Sequence, residues 1–189
     1  KLLINPDDIE QIIIIVFDVS QKMKSIIKGG ELSLFATAYQ YAMTFASKIY
    51  NYHIPSIQGL ISFSSQVNYL CPLSPYFSDF IENGLNKLQP PSGLPLLWDS
   101  LDRAFKKIID FRKDYKGNEK FKNAVSRIFV ISCGEDYKST SIPVGIATKL
   151  VQNSIVVDSI VFDGFPCENL AAISHITAGV CIKQTDASD

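Results

Sequence analysis

Two short runs gather groups capable of chemistry directly after apolar stretches. One is Asp18-Val19-Ser20-Gln21-Lys22 and the other is Ser132-Cys133-Gly134-Glu135-Asp136. A third segment, Pro90 to Asp99, is proline-rich and carries Leu94, Trp98 and Asp99. Carboxylate and hydroxyl oxygens are what a hard divalent cation takes as ligands. A thiol with a histidine is a nucleophile–base pair, and Cys133 with His175 is the candidate for it. The same residue types also serve local structure: Asp and Ser side chains after a strand accept from nearby backbone N–H groups. On that reading Asp18 and Ser20 shape a turn and Asp99 caps the helix that follows it. Glu135 and Asp136 then read as solvated loop carboxylates. No glycine-rich phosphate loop follows a strand and no Gly-x-Ser-x-Gly elbow is present.

These runs need strands and helices to hold them. Ile12–Asp18 is an unbroken apolar run of the kind that forms a central strand buried on both faces. In Ser33–Tyr50 the residues Leu34, Ala38, Tyr41, Ala42, Phe45 and Ile49 share one helical stripe. Ser56–Phe63 and Gln66–Leu70 read as a hairpin across Ser64 and Ser65, which supplies one antiparallel edge strand. Helices are expected at Ser78–Leu88, Ser100–Arg112, Pro143–Asn153 and Glu168–Thr177, and strands at Arg127–Ser132, Ile155–Phe162 and Val180–Lys183. The alternation predicts a doubly wound, Rossmann-like α/β fold: a mostly parallel six-stranded sheet with one antiparallel edge strand and helices on both faces. Ligands of such sheets sit beyond the carboxyl ends of the strands, where the three runs fall.

Composition narrows the function classes. The chain of 189 residues is 47% hydrophobic and 20% charged, an ordinary globular balance. Its 18 Lys and Arg against 19 Asp and Glu give a net charge of −1, which offers no general attraction for nucleic acid or acidic membranes. The apolar run Ile12–Phe17 is far shorter than the ~20 residues of a membrane span. Cys71, Cys133, Cys167 and Cys181 lack the close pairing of a zinc site and read as reduced structural thiols of a cytoplasmic, intracellular protein. Neither linker nor repeat divides residues 1–189, so one domain is expected, with its core at about 12–182. The absence of an initiator methionine suggests a piece of a larger multidomain chain.

Taken in order, the three runs resemble the von Willebrand factor type A family, whose metal-ion-dependent adhesion site places an Asp-x-Ser-x-Ser run, a threonine and an aspartate on three such loops. The resemblance spans about Ile12 to Ile182. It puts Asp18 and Ser20 on the first two ligand positions, Lys22 on the third, Leu94 on the threonine and Cys133 on the later aspartate. A leucine has no donor atom, a thiol is too soft for Mg²⁺ or Ca²⁺, and a lysine brings a cation where the ion's own charge would sit. The expectation is therefore a degenerate site without cofactor, in which Lys22 compensates Asp18. The alternative is an adhesion-type domain holding Mg²⁺ or another divalent cation at Asp18 and Ser20, and a remoter one is an enzyme with a Cys133 nucleophile. The resemblance implies a protein-binding module, with Lys22, Leu94, Trp98, Glu135 and Asp136 as the contact residues; Trp98 reads first as a core residue and otherwise as an exposed aromatic anchor. The strand sequences at 59–65 and 157–162 are similar to those of intracellular members, some of which sit beside ubiquitin-pathway domains.

Overall fold

The computed structural model describes residues 9–27, 30–114, 124–162 and 167–184. Its centre is strand β1, Gln11–Asp18, in which every residue after Gln11 is buried. Because side chains alternate along a strand, Ile12, Ile14 and Val16 enter one hydrophobic cluster and Ile13, Ile15 and Phe17 enter the other. A strand buried on both faces needs an apolar side chain at every position, which is why the run has no polar interruption before Asp18.

The remaining elements, in chain order, are helix α1 (Leu34–Asn51), strands β2 (Ser56–Phe63) and β3 (Val67–Ser74), the short helix α2 (Phe77–Asp79), α3 (Leu97–Asp114), β4 (Val125–Ser132), α4 (Pro143–Gln152), β5 (Ile155–Phe162), α5 (Glu168–Ile176) and β6 (Cys181–Gln184). The six strands lie in the order β3-β2-β1-β4-β5-β6. All neighbours are parallel except β2 and β3, which are antiparallel. The expected Rossmann-like sheet with one antiparallel edge strand is therefore the observed one. Edge strand β3 carries Pro72, which lacks the N–H that a central ladder would require.

Helix α1 and the segment containing Phe80 and Leu85 cover the Ile13 face, while α3, α4 and α5 cover the Ile14 face. Ser33 caps α1 by accepting the Ala36 N–H at 3.1 Å. Leu34, Ala38, Ala42 and Ile49 of the expected stripe are buried, with Ala46 joining them, and small alanines let α1 lie close to the sheet. The region read as one helix over Ser78–Leu88 is instead irregular: α2 passes into a wide turn at Phe80–Gly84 and a tight one at Leu85–Lys87. Close packing against β2 and β3 accompanies the break. A Cβ on Gly84 would stand 3.2 Å from Leu60 and 3.3 Å from Cys71. Helix α3 starts at Leu97 rather than Ser100, which brings Trp98 into its first turn.

Asp158, an acid inside a strand, is paired: Arg127 on the neighbouring strand reaches its Oδ2, and Val180 N–H donates to its Oδ1 at 3.0 Å. No described helix is long and apolar enough to cross a membrane. The chain leaves β1 for β2 on one side and reaches β4 on the other, so the strand order reverses between β1 and β4. The crevice at the carboxyl ends of those two strands is where the candidate residues meet.

Candidate functional site at the carboxyl ends of the strands

Parallel pairing of β1 with β4 sets Phe17 against Ile131, so Asp18 ends its strand beside Ser132 and Cys133. Asp18 is fully buried and its oxygens are already occupied. Ser20 N–H donates to Oδ1 at 2.7 Å. Oδ2 accepts from the Ser132 hydroxyl at 2.9 Å and from both the N–H and the thiol of Cys133 at 3.3 Å. Ser132 Oγ in turn accepts the Gly134 N–H at 2.9 Å. Burial pushes the Asp18 carboxyl above its ordinary value, and the hydrogen bonds from Ser20, Ser132 and Cys133 offset only part of that effect. The Cys133 thiol is fully buried and pushed up to about 12, first by burial and then by the neighbouring Asp18 carboxylate.

Lys22, expected to compensate Asp18, forms an ion pair with Glu135 at 3.5 Å, its side chain 52% exposed. The hydrogen bonds that hold Asp18 come from Ser20, Ser132 and Cys133. An exposed pair such as Lys22–Glu135 contributes roughly 0–1 kcal/mol, whereas a buried carboxylate stripped of one donor loses roughly 1–3 kcal/mol. The Asp18 cluster therefore governs the geometry here and the ion pair decorates its rim. Ser20 Oγ is buried and makes no hydrogen bond of its own. It is the buried side-chain oxygen of the run that has no partner among the described residues. Cys133 and Leu94 add no hard donor, and Lys22 adds positive charge, so this set does not fit Mg²⁺ or Ca²⁺. Among the described residues, no three His, Cys, Asp or Glu side chains converge as metal ligands would.

Leu94 is 47% exposed and its N–H donates to Ser65 Oγ at 3.1 Å. The loop before it is held to the end of β1 by Ser92 N–H to Val19 O and by Gln21 N–H to Gly93 O, both 2.8 Å. Gly93 is required there: its φ is +72° and a Cβ would lie 2.2 Å from Ser65 Oγ.

Two carboxylates exchange places between this loop and the one after β4. Asp136 accepts the Trp98 N–H, an otherwise free donor of the first turn of α3, at 3.3 Å, and also the Ser139 hydroxyl. Asp99 was expected to cap α3. It instead accepts from the Thr140 and Ser141 N–H groups at 3.1 and 2.8 Å and from the Thr140 hydroxyl, while its own N–H donates to Ser139 Oγ. Burial raises the Asp99 carboxyl, but the Ser141 and Thr140 N–H groups outweigh it, and the net shift is below the usual carboxylate range. Asp136 is thus a capping group half-withdrawn from water rather than a solvated loop acid. Of the two readings of Trp98, core residue and exposed anchor, the structure shows the first. It is 7% exposed and belongs to the core cluster, because the early start of α3 turns it inward. A sequence signal for this exchange existed in the Ser139-Thr140-Ser141 run, whose hydroxyls and N–H groups suit carboxylate partners.

Trp98, Leu94, Glu135 and Asp136 line one groove of about 500 Å³, closed on its far side by Cys167, Glu168 and Leu170 at the start of α5. Lys22 stands at its rim through Glu135. His175 is exposed in the last turn of α5. That helix runs back from the carboxyl end of β5 toward the amino end of β6, so His175 and Cys133 lie at opposite ends of the sheet.

Two predictions follow from these contacts. Because the folded Asp18 binds its proton more tightly than the unfolded chain does, its contribution favours the fold below about pH 4 and declines as pH rises through the folded value. Asp18→Asn should therefore make the stability profile between about pH 4 and 8 less downward-sloping, read by chemical denaturation at several pH values. Asp99→Ala and Asp136→Ala should each cost about 1 kcal/mol, the usual effect of a lost cap. Their double variant should cost less than the sum, since the two carboxylates hold the same Ser139–Ser141 run. Strict additivity would mean the two carboxylates work independently.

Comparison with known proteins places this geometry in a family of folds. No protein-family model and no curated protein sequence matches the chain. Solved structures do. The SpRpn10 VWA domain superposes with a TM-score of 0.72 at 13% identity, over 96% of this chain and 91% of that one. An aerotolerance-related membrane protein from Bacteroides fragilis NCTC 9343 gives 0.64 at 16% identity, over 92% and 91%. BatB from Bacteroides thetaiotaomicron gives 0.62 at 13% identity, over 94% and 91%. Identities this low speak for the fold alone, and the chain has the von Willebrand factor type A fold.

Proposed function

We propose that this domain is a protein–protein interaction module that works through the loop face at the carboxyl ends of its strands and does so without a metal ion. The observation that carries this reading is the convergence of Leu94, Trp98, Glu135 and Asp136, drawn from two loops, on one groove with Lys22 at its edge. The volume falls in the range of ligand-binding clefts, and the exposed lining of this open groove is more polar than apolar. Trp98 serves it as a lining side chain rather than as a projecting anchor. The reading without metal is supported by the donor set around Asp18, whose lone pairs already accept N–H, O–H and S–H groups.

The setting attached to this proposal is a cytoplasmic chain with further domains, linked to the ubiquitin pathway. The strand sequences at 59–65 and 157–162, similar to those of intracellular members, support it. Catalysis has no part in the proposal. A nucleophilic cysteine needs a thiolate and access, and Cys133 has a raised thiol and no exposed surface.

Thermal unfolding in Mg²⁺, Mn²⁺ or Ca²⁺, each against chelator, tests the metal question. A site holding its ion at 100 times Kd gains about 2.7 kcal/mol, on the order of 5–10 °C for a chain of this size. The expected shift is none; a rise of that order would establish the adhesion-type alternative at Asp18 and Ser20. Chelator-insensitive capture of a partner that is lost in Leu94→Asp, with the melting midpoint retained, is the expected binding result. Capture unaffected by Leu94→Asp would move the interface off this face. Iodoacetamide should modify Cys133 only on unfolding, with no acceleration between about pH 6 and 8, and fast alkylation in that window would reopen the enzyme reading.

A further inference from the structure

We infer that the groove beside α5 receives a peptide segment carrying a basic side chain next to an apolar one. The inference rests on the interaction reading above and names the chemistry of its partner. Among the described residues, the charged side chains lining the groove, Glu135, Asp136 and Glu168, are all acidic. The two bases nearest to them on these loops are engaged at its edge: Lys22 with Glu135, and Lys138 over the exposed ring of Tyr137, 5.6 Å from its centroid. The amino end of α5 also faces the groove and favours anions, with an effect equivalent to roughly +0.5 charge. Glu168, in the first turn of that helix, carries a full negative charge and is exposed, so the acid outweighs the dipole at that wall. Asp136 plays the same part at the amino end of α3, where it takes the Trp98 N–H. An incoming carboxylate would meet these acids as it lost water, whereas a guanidinium or ammonium would meet acceptors.

The apolar half of the site is laid out beside the acidic one. Leu94 at 47% exposed and Tyr137 at 58% exposed stand at the mouth, and Trp98 and Leu170 form a nearly closed floor. An aliphatic side chain entering between Leu94 and Tyr137 covers apolar surface that now faces water. A neighbouring basic side chain on the same extended segment then falls toward Glu135 and Glu168. The volume of about 500 Å³ admits a few side chains and not a folded element, so the occupant is a short stretch of chain.

Trp98 is the only tryptophan of the chain, and its emission reports on the groove directly. The probes are acetyl-Gly-Leu-Arg-Leu-Gly-amide and two analogues with citrulline or glutamate in place of arginine, none of which fluoresces in the tryptophan range. The expected result is a saturable change in Trp98 emission with the arginine peptide, several-fold weaker binding of the citrulline peptide, and none of the glutamate peptide. Exposed ion pairs each contribute roughly a 1.5- to 5-fold change in affinity. Glu135→Gln with Glu168→Gln should therefore weaken the arginine peptide by roughly 2- to 25-fold and leave the citrulline peptide unchanged, the melting midpoint showing that the variant is folded. Lys22→Gln should tighten the arginine peptide by releasing Glu135. Equal binding of the three peptides, or preference for glutamate, overturns the inference. If no peptide binds while Leu94→Asp still abolishes partner capture, the basic-segment inference falls and the interaction module stands. If neither effect is seen, both fall.

Discussion

A carboxylate buried at the end of an apolar strand has to find hydrogen-bond donors among whatever ends beside it, and Asp18 sets that demand for this molecule. Strand β1 is closed on both faces, so water cannot reach Asp18 and no exposed base supplies its hydrogen bonds. The donors come from the turn that follows, at Ser20, and from the end of β4, at Ser132 and Cys133. A carboxylate served in this way fixes the separation of β1 and β4 at the point where strand order reverses. It also fixes where the loop after β4 departs, and hence where Glu135 and Asp136 stand. Its raised pKa shows that service to be incomplete in energetic terms, since a fully solvated or ion-paired carboxylate would not resist ionisation. The structure carries a local cost at its centre, as sites inherited or used for binding commonly do.

The second constraint is the exchange between Asp99 and Asp136. Each carboxylate caps backbone that belongs to the other's segment, so the start of α3 and the Ser139–Ser141 run hold one another in place. Either segment alone would leave free N–H groups at a helix start or in a turn. Of these residues, Trp98 and Asp136 line the groove, and the Asp136–Trp98 hydrogen bond ties its two loops together. Loops normally buy adaptability with looseness; here the groove's walls are cross-tied, and Trp98 is fixed in the core at one end and presented to the groove at the other.

Much of the framework was legible because buried strands have a simple signature. Ser56–Phe63 and Ile155–Phe162 carry the bounds read from apolar runs, and β1 and β4 extend theirs by one and two residues at the start. The irregular segment after α2 was not legible, because its apolar spacing suits a helix while the close approach of Gly84 to Leu60 and Cys71 is a tertiary demand. The site was legible by type and not by role. Asp18, Ser20 and Cys133 were singled out, and the structure brings them together, but the thiol as a donor to Asp18 has no counterpart in local sequence. Asp99 and Asp136 failed as local readings for the same reason: each finds its partner about forty residues away, and caps are predictable only when they are near in sequence.

Cysteine at position 133 links these observations. A carboxylate in its place would set two buried negative charges against each other at the Oδ2 of Asp18, a juxtaposition that needs an ion between them or a proton on one. A thiol of the same reach removes that charge and donates a weak hydrogen bond, and its own ionisation is then opposed by both burial and Asp18. The polar groups at the end of β1 are thereby turned inward onto Asp18. In the neighbouring groove Leu94 and Tyr137 keep apolar surface in water and Glu135 and Glu168 keep charge there. On the proposed reading the groove at the start of α5, beside the crevice at the end of β1, is the face that meets a partner.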